Sequence, residues 1–205
     1  MFDTSTKCHW YAFALSLTKL PRPCFVLFLT AMPAIWTIGH SDRSIEEFLD
    51  LLSGEKIELV ADIRRFPASR THPQFNSEAL AAALEQRGVN YRHFAGLGGR
   101  RNTRLAGSPN TAWRVDSFNR YADYMTTDDF LASLEELMDA AAERRTVLMC
   151  SEAVPWRCHR RLVADALIVR GWEVHDIIGA GPAKPHAMTA FAHVDNGRLS
   201  YPSAP

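Results

Sequence analysis

The amino-acid sequence predicts an α/β fold, with a mostly parallel β-sheet flanked by helices in a Rossmann-like three-layer arrangement and a small C-terminal hairpin. Short apolar runs alternate with amphipathic helical patterns from Ala34 to Ile178, as in chains built from βαβ units. Crossovers between parallel strands are nearly always right-handed, so helices are expected on both faces of the sheet. With 205 residues, 47% of them hydrophobic and 22% charged, the chain is neither disordered, nor collagen-like, nor a coiled coil.

The first half of the pattern begins with a strand and a capped helix. Ala34–Gly39 is an apolar strand. Ser44 is a helix N-cap, and Glu47 three residues later completes a capping box. The helix carries an apolar face and ends at Gly54. Next come a strand over Ile57–Ile63, a helix from Asn76 or Ser77 to Gln86, a strand over Val89–Phe94 and a loop rich in glycine and arginine from Gly96 to about Asn110.

The second half contains a long helix, a buried strand and a helix that begins at a proline. Thr127 caps Asp128–Arg144, and Thr146–Cys150 is a short apolar strand. Pro155 suits the first position of a helix that runs to Val169. The other elements are a helix over Ser117–Met125, a strand over Trp172–Ile178 and a hairpin in which Asp195-Asn196-Gly197 joins Phe191–Val194 to Arg198–Tyr201.

Residues 1–31 are interpreted as an N-terminal extension before an α/β domain over residues 32–180 and a tail over residues 181–205. Met32 stands directly before the first strand, so translation is expected to begin there; a signal peptide is the alternative, because basic residues precede the apolar run Cys24–Ala31. That run is far shorter than the ~20 apolar residues of a membrane span, so no membrane partner is expected. Four cysteines are too few for a secreted disulfide scaffold, which favours a cytoplasmic location.

Polar side chains follow four strands of the predicted sheet. Ligands of open α/β sheets bind outside the carboxyl ends of the strands, so these side chains are expected to meet in one site at that edge. The candidate residues are His40 and Ser41 after the first strand, Asp62, Arg64, Arg65, Arg70 and Asn76 after the second, Gly98, Gly99 and Arg100 after the third, and Cys150, Glu152, Cys158, His159 and Arg160 after the fourth.

Basic charge is concentrated in one segment of a chain that is neutral as a whole. The range Arg64–Arg120 holds ten arginines and three acidic residues, a formal charge of +7. Guanidinium groups bind phosphate or carboxylate through paired hydrogen bonds, and glycines in Gly96–Gly99 can expose backbone N–H groups to an anion. The alternative is a solvated loop surface whose arginines reflect codon usage, since the chain has 19 Arg and 4 Lys. The glycines match no named phosphate-binding motif.

Cys150 and Cys158 are candidate nucleophiles, because a thiol near a helix N-terminus and basic groups has a lowered pKa. The spacing differs from that of thiol phosphatases: Trp156 stands where they carry arginine, and Arg157 comes one residue later. The alternative is that Cys150 is a small buried residue closing a strand. A metal site is a third option, for which Cys150, Cys158, His159 and His40 would have to meet. None is predicted, because no C-x-x-C pair exists and Cys158 and His159, adjacent on a helix, would point in different directions.

Three further residues are candidates for acid–base chemistry. Glu152 and Asp62 would each place a carboxylate at the edge of the site, and His40 would act as a general base. Asp62 has the alternative role of a structural partner for a nearby arginine. His40 has the alternative role of a hydrogen-bonded histidine at a strand end. Aromatic residues, Phe66 among them, are interspersed in the basic segment. Most of them are expected in the core from their periodicity, and the alternative is that bases of single-stranded nucleic acid stack on them beside arginine.

Five motifs, in order along the chain, resemble the family named domain of unknown function 488. They cover the range from about Ile35 to Ile178. The resemblance implies a compact α/β domain with a polar site built from these motifs, and it implies no established activity. The motifs are Thr37-Ile38-Gly39-His40-Ser41, Val60-Ala61-Asp62-Ile63-Arg64, Pro73-Gln74-Phe75-Asn76, Leu97-Gly98-Gly99-Arg100, and Leu148-Met149-Cys150-Ser151-Glu152 with Cys158-His159-Arg160.

The residues therefore favour an enzyme that acts on an anionic ligand, such as a nucleotide, a nucleic-acid end or another phosphorylated molecule. Arginines would bind the anion, and Glu152, Asp62 or His40 would move a proton, with Cys150 as the nucleophile if the chemistry is covalent. One alternative is a non-catalytic module that binds nucleic acid on an arginine-rich face. A second is a thiol-dependent redox protein. The sequence names no cofactor.

Overall fold

Six strands form one sheet in the computed structural model, which describes residues 32–204. The sheet order is β3-β2-β4-β1-β5-β6, in which β1 to β5 run parallel and β6 pairs antiparallel to β5. The α/β prediction is confirmed; the expectations for residues 1–31 lie outside the described residues. The strands are β1 (Ala34–Gly39), β2 (Leu59–Asp62), β3 (Asn90–His93), β4 (Thr146–Cys150), β5 (Glu173–Ile177) and β6 (Lys184–Pro185).

Helices cover both faces of this sheet, as the crossover rule predicts. Consecutive side chains of β4 point to opposite faces of the sheet. Val147 and Met149 pack against the first two helices of the chain, and Leu148 and Cys150 pack against the last three. This alternation follows from the two-residue period of a strand, and it makes two hydrophobic cores. The helices are α1 (Ile45–Gly54), α2 (Ser77–Glu85), α3 (Asp116–Tyr124), α4 (Asp128–Glu143) and α5 (Arg160–Val169).

Two helices begin where their capping residues predict. The Ser44 hydroxyl accepts a hydrogen bond from the Glu47 backbone N–H at 3.0 Å. The Thr127 hydroxyl accepts one from the Phe130 N–H at 3.4 Å. Each bond satisfies an N–H group that has no partner inside the helix, and a cap of this kind contributes about 1 kcal/mol.

The helix predicted from Pro155 to Val169 is wrong at its start. Residues Pro155–Arg157 make a single 3₁₀ turn, and Cys158 then takes an extended conformation with φ −128° and ψ 146°. Helix α5 begins at Arg160, whose buried guanidinium donates to the carbonyls of Glu152 and Ala153. That side chain binds the carbonyls of the preceding loop, so the chain bends at Cys158 instead of continuing one helix.

The hairpin predicted near the C-terminus is confirmed, in a shorter form. It comprises β7 (His193–Asp195) and β8 (Arg198–Ser200). The connecting residues Asn196 and Gly197 have φ values of 47° and 77°, the left-handed conformation that a tight hairpin turn requires. Strand β6 was not predicted, because its two residues carry too little pattern. Among residues 32–204, none of the helices has both the length and the apolarity needed to cross a bilayer.

Candidate functional site

A cleft with a volume of about 1040 Å³ lies at the carboxyl ends of β1, β2 and β4 and against the loop that follows β3. These four strands are neighbours in the sheet, so their ends converge as expected of an open α/β fold. Every predicted segment contributes to the lining. The predicted residues that line the cleft are His40, Ser41, Arg64, Arg65, Gly99, Arg100, Cys150, Glu152, Cys158 and His159.

Asp62 lies beneath the cleft and not in its wall. Its side chain is 0% exposed and accepts four hydrogen bonds from Arg64. The Arg64 Nε donates at 2.9 and 3.1 Å, Nη2 donates at 2.6 Å and the backbone N–H donates at 3.0 Å. The Tyr91 hydroxyl also donates to it at 2.8 Å. With both oxygens occupied, Asp62 does not face a ligand, and the geometry favours its structural role over the catalytic one.

His40 is held between Arg64 and an aromatic ring. Its Nδ1–H donates to the Ser41 carbonyl at 2.9 Å, and its Nε2 faces Arg64 Nη1 at 3.4 Å. The imidazole stacks on Phe75 with 4.3 Å between ring centroids. Burial, and then the nearby guanidinium, lower the pKa of His40 to about 4 despite the Ser41 hydrogen bond. His40 is therefore neutral at physiological pH, and its free lone pair points at Arg64.

Two thiols and one imidazole meet on the floor of the cleft. The Nδ1 atom of His159 lies 3.8 Å from the Sγ of Cys150 and 3.8 Å from the Sγ of Cys158. The sequence-based expectation that Cys158 and His159 point in different directions is wrong, because Cys158 is extended and precedes α5 rather than lying in a helix. Both thiols are buried and free.

The two thiols differ in acidity. The hydrogen bond to Cys158 and then burial raise the pKa of Cys150 far above the ordinary thiol value. Burial also acts to raise the pKa of Cys158, but the hydrogen bond from Cys150 and the positive charge of Arg160 outweigh it and lower this pKa to about 7. The two shifts are coupled, because each thiol changes the pKa of the other. The nucleophilic role of Cys150 stays a prediction.

Three arginines face the cleft without a carboxylate partner among residues 32–204: Arg65, Arg100 and Arg157. All three are exposed. Two acidic side chains, Asp42 and Glu152, share the lining. The guanidinium groups are thus available to an anion.

Five of the ten arginines of the basic segment have structural contacts outside the cleft: Arg87, Arg92, Arg101, Arg104 and Arg120. Arg92 pairs with Glu136, Arg120 lies 2.7 Å from Asp116, and the Arg101 guanidinium lies 3.5 Å from the centroid of the Tyr124 ring. The concentration of charge along the chain therefore overstates the charge of the cleft.

Five predicted residues do not line the cleft: Asp62, Arg70, Asn76, Gly98 and Arg160. Arg160 is 0% exposed and donates hydrogen bonds to the carbonyls of Glu152 and Ala153. The Asn76 side-chain oxygen accepts from the Ser69 N–H at 2.6 Å and so positions a loop that does line the cleft. A Cβ on Gly98 would lie 2.8 Å from the Arg65 Cα, which makes this glycine a packing residue.

Several lining residues were missed by sequence reasoning, above all Trp156. Its side chain is 55% exposed, and that of Phe66, one of the aromatic residues of the basic segment, is 63% exposed. Trp156 lies in the polar segment between Cys150 and His159, and this position is the sequence feature that could have identified it as a lining residue. Val115 and Tyr121 come from α3 and the residue before it, which only tertiary packing brings to the cleft. The other lining residues outside the predicted set are Asp42, Ala68, Ser69, His72, Ser117, Phe118, Ser151 and Arg157.

The central part of the chain matches a known protein family. The family model described as "Domain of unknown function DUF488" matches residues 44–167. The chain belongs to the DUF488 family. The resemblance seen in the sequence motifs is confirmed. No curated protein matches the chain, and no solved structure does.

The match covers most of the cleft of this DUF488 protein. It runs from the N-cap of α1 into α5 and includes the ends of β2 and β4, the two cysteines and His159. His40 and Ser41 precede the matched residues and complete the wall. Chemically, the arrangement offers guanidinium donors for an anion, exposed aromatic faces, a free carboxylate on Glu152 and a thiol–imidazole group, all within one concave surface.

Proposed function

We propose that this DUF488 protein is an enzyme that acts on a nucleotide or a nucleic-acid ligand bound in the cleft. One observation carries the proposal: unpaired guanidinium groups, exposed aromatic faces and a thiol–imidazole group line the same cavity. Its volume, about 1040 Å³, lies just above the range of roughly 300–1,000 Å³ for small-molecule sites. A mononucleotide or the end of an oligonucleotide suits that space.

The phosphate of the ligand would bind Arg65, Arg100 and Arg157. These residues come from three different chain segments, and none of them has a carboxylate partner within residues 32–204. Guanidinium groups bind phosphate oxygens through two parallel hydrogen bonds, which fix both position and orientation. Arg64 supports this wall from beneath, because its charge is already balanced by buried Asp62.

A nucleobase would contact Phe66 and Trp156. Both rings are exposed in the lining of the same cleft, where they offer aromatic surface to a ligand. Stacking of a base on an aromatic ring contributes about 1–3 kcal/mol. The pairing of exposed rings with guanidinium groups therefore favours a nucleotide over a simple sugar phosphate.

Proton transfer would fall to Glu152. It is the exposed carboxylate nearest to the thiol–imidazole group in sequence and lines the same cleft, whereas Asp62 is fully buried and His40 is neutral with its lone pair directed at Arg64. A reactive group inside a concave site favours an enzyme over a module that only binds nucleic acid. Cys150 and Cys158 are free thiols, in accord with the cytoplasmic location that the sequence predicts.

The proposal is tested by ligand binding with matched variants. Calorimetric titration and thermal shift would compare a nucleoside monophosphate, a nucleoside triphosphate and a short single-stranded oligonucleotide with ribose 5-phosphate and inorganic phosphate. Arg65→Gln and Arg157→Gln should each weaken nucleotide binding about 10- to 100-fold, since a charge-assisted hydrogen bond contributes about 1.5–3 kcal/mol. Arg198→Gln, an exposed arginine of β8 outside the cleft, is the control and should leave binding unchanged.

Three outcomes would contradict the proposal or a part of it. Binding that Arg65→Gln and Arg198→Gln weaken equally would show a diffuse electrostatic effect and no site. A ligand whose affinity falls steeply with salt, at a slope set by the number of phosphates contacted, and that is bound without any turnover, would favour the nucleic-acid-binding module. Equal affinity for ribose 5-phosphate and the nucleotide would remove the role given to Phe66 and Trp156.

A further inference from the structure

Three potential metal ligands converge at the floor of the cleft. The Sγ atoms of Cys150 and Cys158 and one ring nitrogen of His159 all lie within 4.8 Å of one another. The separation between each sulfur and Nδ1 is 3.8 Å. Tetrahedral zinc binds sulfur at about 2.3 Å and nitrogen at about 2.0–2.1 Å, which places neighbouring ligand atoms roughly 3.5–3.8 Å apart. The group needs little movement to reach that geometry.

His159 presents the correct nitrogen to the two sulfurs. Its Nε2–H donates to the Ile63 carbonyl at 3.1 Å, so Nδ1 carries the lone pair. Histidine ligands of metals in proteins nearly always donate their other ring N–H to a carbonyl or a carboxylate, which fixes the tautomer and the ring orientation. The Ile63 carbonyl occupies that position here, at the end of β2.

The fold holds this arrangement from several sides. Extended Cys158 directs its thiol toward His159, and the Arg160 backbone N–H at the start of α5 points at the same sulfur with a distance of 3.5 Å. Gly99 lies against the imidazole so closely that a Cβ there would be 2.9 Å from Nδ1. The Tyr121 ring packs edge-on against His159 with 5.0 Å between centroids.

We propose that Cys150, Cys158 and His159 bind one zinc ion, or a divalent cation of similar softness, and leave its fourth coordination position open to the cleft. Thiolate and imidazole are the ligands that zinc prefers, and three protein ligands with one open position are typical of catalytic rather than structural zinc sites. All three residues line the cleft, so the open position faces the space assigned to the ligand. Zinc binding here does not require that ligand to be a nucleotide.

Zinc uptake is measured on the full chain after thiol reduction and removal of metal by a chelator. The starting protein carries Cys8→Ser and Cys24→Ser, so that the cysteines outside the described residues do not contribute. Competition with a chromophoric chelator should show one zinc per chain. Uptake should release the thiol protons, because the ligands bind as thiolates. Cobalt in place of zinc should give thiolate-to-metal charge-transfer bands and the intense visible bands of a tetrahedral site.

Variants then assign the ligands. Cys158→Ser and His159→Gln should each weaken zinc binding at least about 100-fold, more than the 10- to 100-fold typical of a residue that only orients a ligand. His72→Gln removes another imidazole of the same cleft and should leave the affinity unchanged. X-ray absorption on the unmutated cluster should show two sulfur atoms at about 2.3 Å and a nitrogen at about 2.0–2.1 Å, whether or not the variants fold.

Several results would overturn the proposal. Absence of stoichiometric zinc, zinc coordinated without sulfur, or uptake that Cys158→Ser and His159→Gln leave intact would each do so. A reduced protein that takes up no zinc but forms a Cys150–Cys158 disulfide in air would instead favour the thiol redox alternative.

Discussion

His186 connects the C-terminal segment to the body of the domain through two buried carboxylates. Its Nδ1 lies 2.8 Å from Asp176 Oδ2, and its Nε2 lies 3.7 Å from Asp165 Oδ1, close enough for an ion pair but too far for a hydrogen bond. Thr37 donates to Asp176 at 2.6 Å, and Tyr201 donates to Asp165 at 2.9 Å. The His186 side chain is only 3% exposed, so its protonation state affects the stability of the fold.

The charge of His186 should make the free energy of unfolding depend on pH. Burial alone lowers the pKa of this imidazole, but the carboxylates of Asp165 and Asp176 outweigh burial and raise the pKa from 6.5 to about 9. The native state therefore binds the proton more tightly than the unfolded chain does. The resulting stabilisation is complete below pH 6.5 and disappears as the pH rises through 9. It amounts to about 3 kcal/mol at pH 6, about 2 kcal/mol at pH 7.5 and about zero at pH 10.

Urea unfolding of the wild type and of His186→Gln at these three pH values measures the contribution of the His186 charge to the free energy of unfolding. Glutamine carries no charge, so the difference in unfolding free energy between the two proteins should be about 3 kcal/mol larger at pH 6 than at pH 10. Groups that do not contact His186 titrate alike in both proteins and cancel in the difference. A difference that stays constant with pH would refute the assignment of a charged His186.

Two substitutions near the cleft have outcomes that separate structural from chemical roles. Asp62→Asn leaves the buried Arg64 guanidinium without its carboxylate and should lower the free energy of unfolding by about 3–5 kcal/mol, measured by urea denaturation. A variant of native stability that loses only turnover would restore the catalytic hypothesis for Asp62. Gly99→Ala places a Cβ 2.9 Å from His159 Nδ1 and should weaken zinc binding in the chelator competition. Unchanged zinc affinity would show that neighbouring residues relieve the close contact between this Cβ and the imidazole, and that Gly99 does not hold the His159 ring in place.

Local signals predict the elements of this chain well. Strands Ala34–Gly39 and Thr146–Cys150 have the predicted bounds, and Ser44 and Thr127 cap the helices that they were expected to start. These features depend on residues within a few positions of each other, through side-chain periodicity and hydrogen bonds to the nearest backbone groups. The convergence of four strand ends at one edge followed from the parallel topology alone.

Local sequence signals did not predict which residues far apart along the chain would pair with each other. Whether an arginine faces a ligand or a carboxylate depends on which segment packs against it, and this is why Arg64 and Arg160 are buried while Arg65 and Arg157 are free. The bend at Cys158 has the same origin, because the Arg160 side chain binds carbonyls that precede the turn. Helix-forming patterns depend on neighbouring residues, so they did not predict this bend.

By itself, the sequence determined an alternation of strands and helices, a shared edge for the polar strand ends and membership of a family. Only the tertiary structure decided the strand order, the separation of Asp62 from the cleft and the meeting of Cys150, Cys158 and His159 around one point. The reason is physical. Secondary structure follows from interactions between neighbours along the chain, whereas the chemistry of a site follows from contacts between segments that are far apart in sequence and adjacent only after folding.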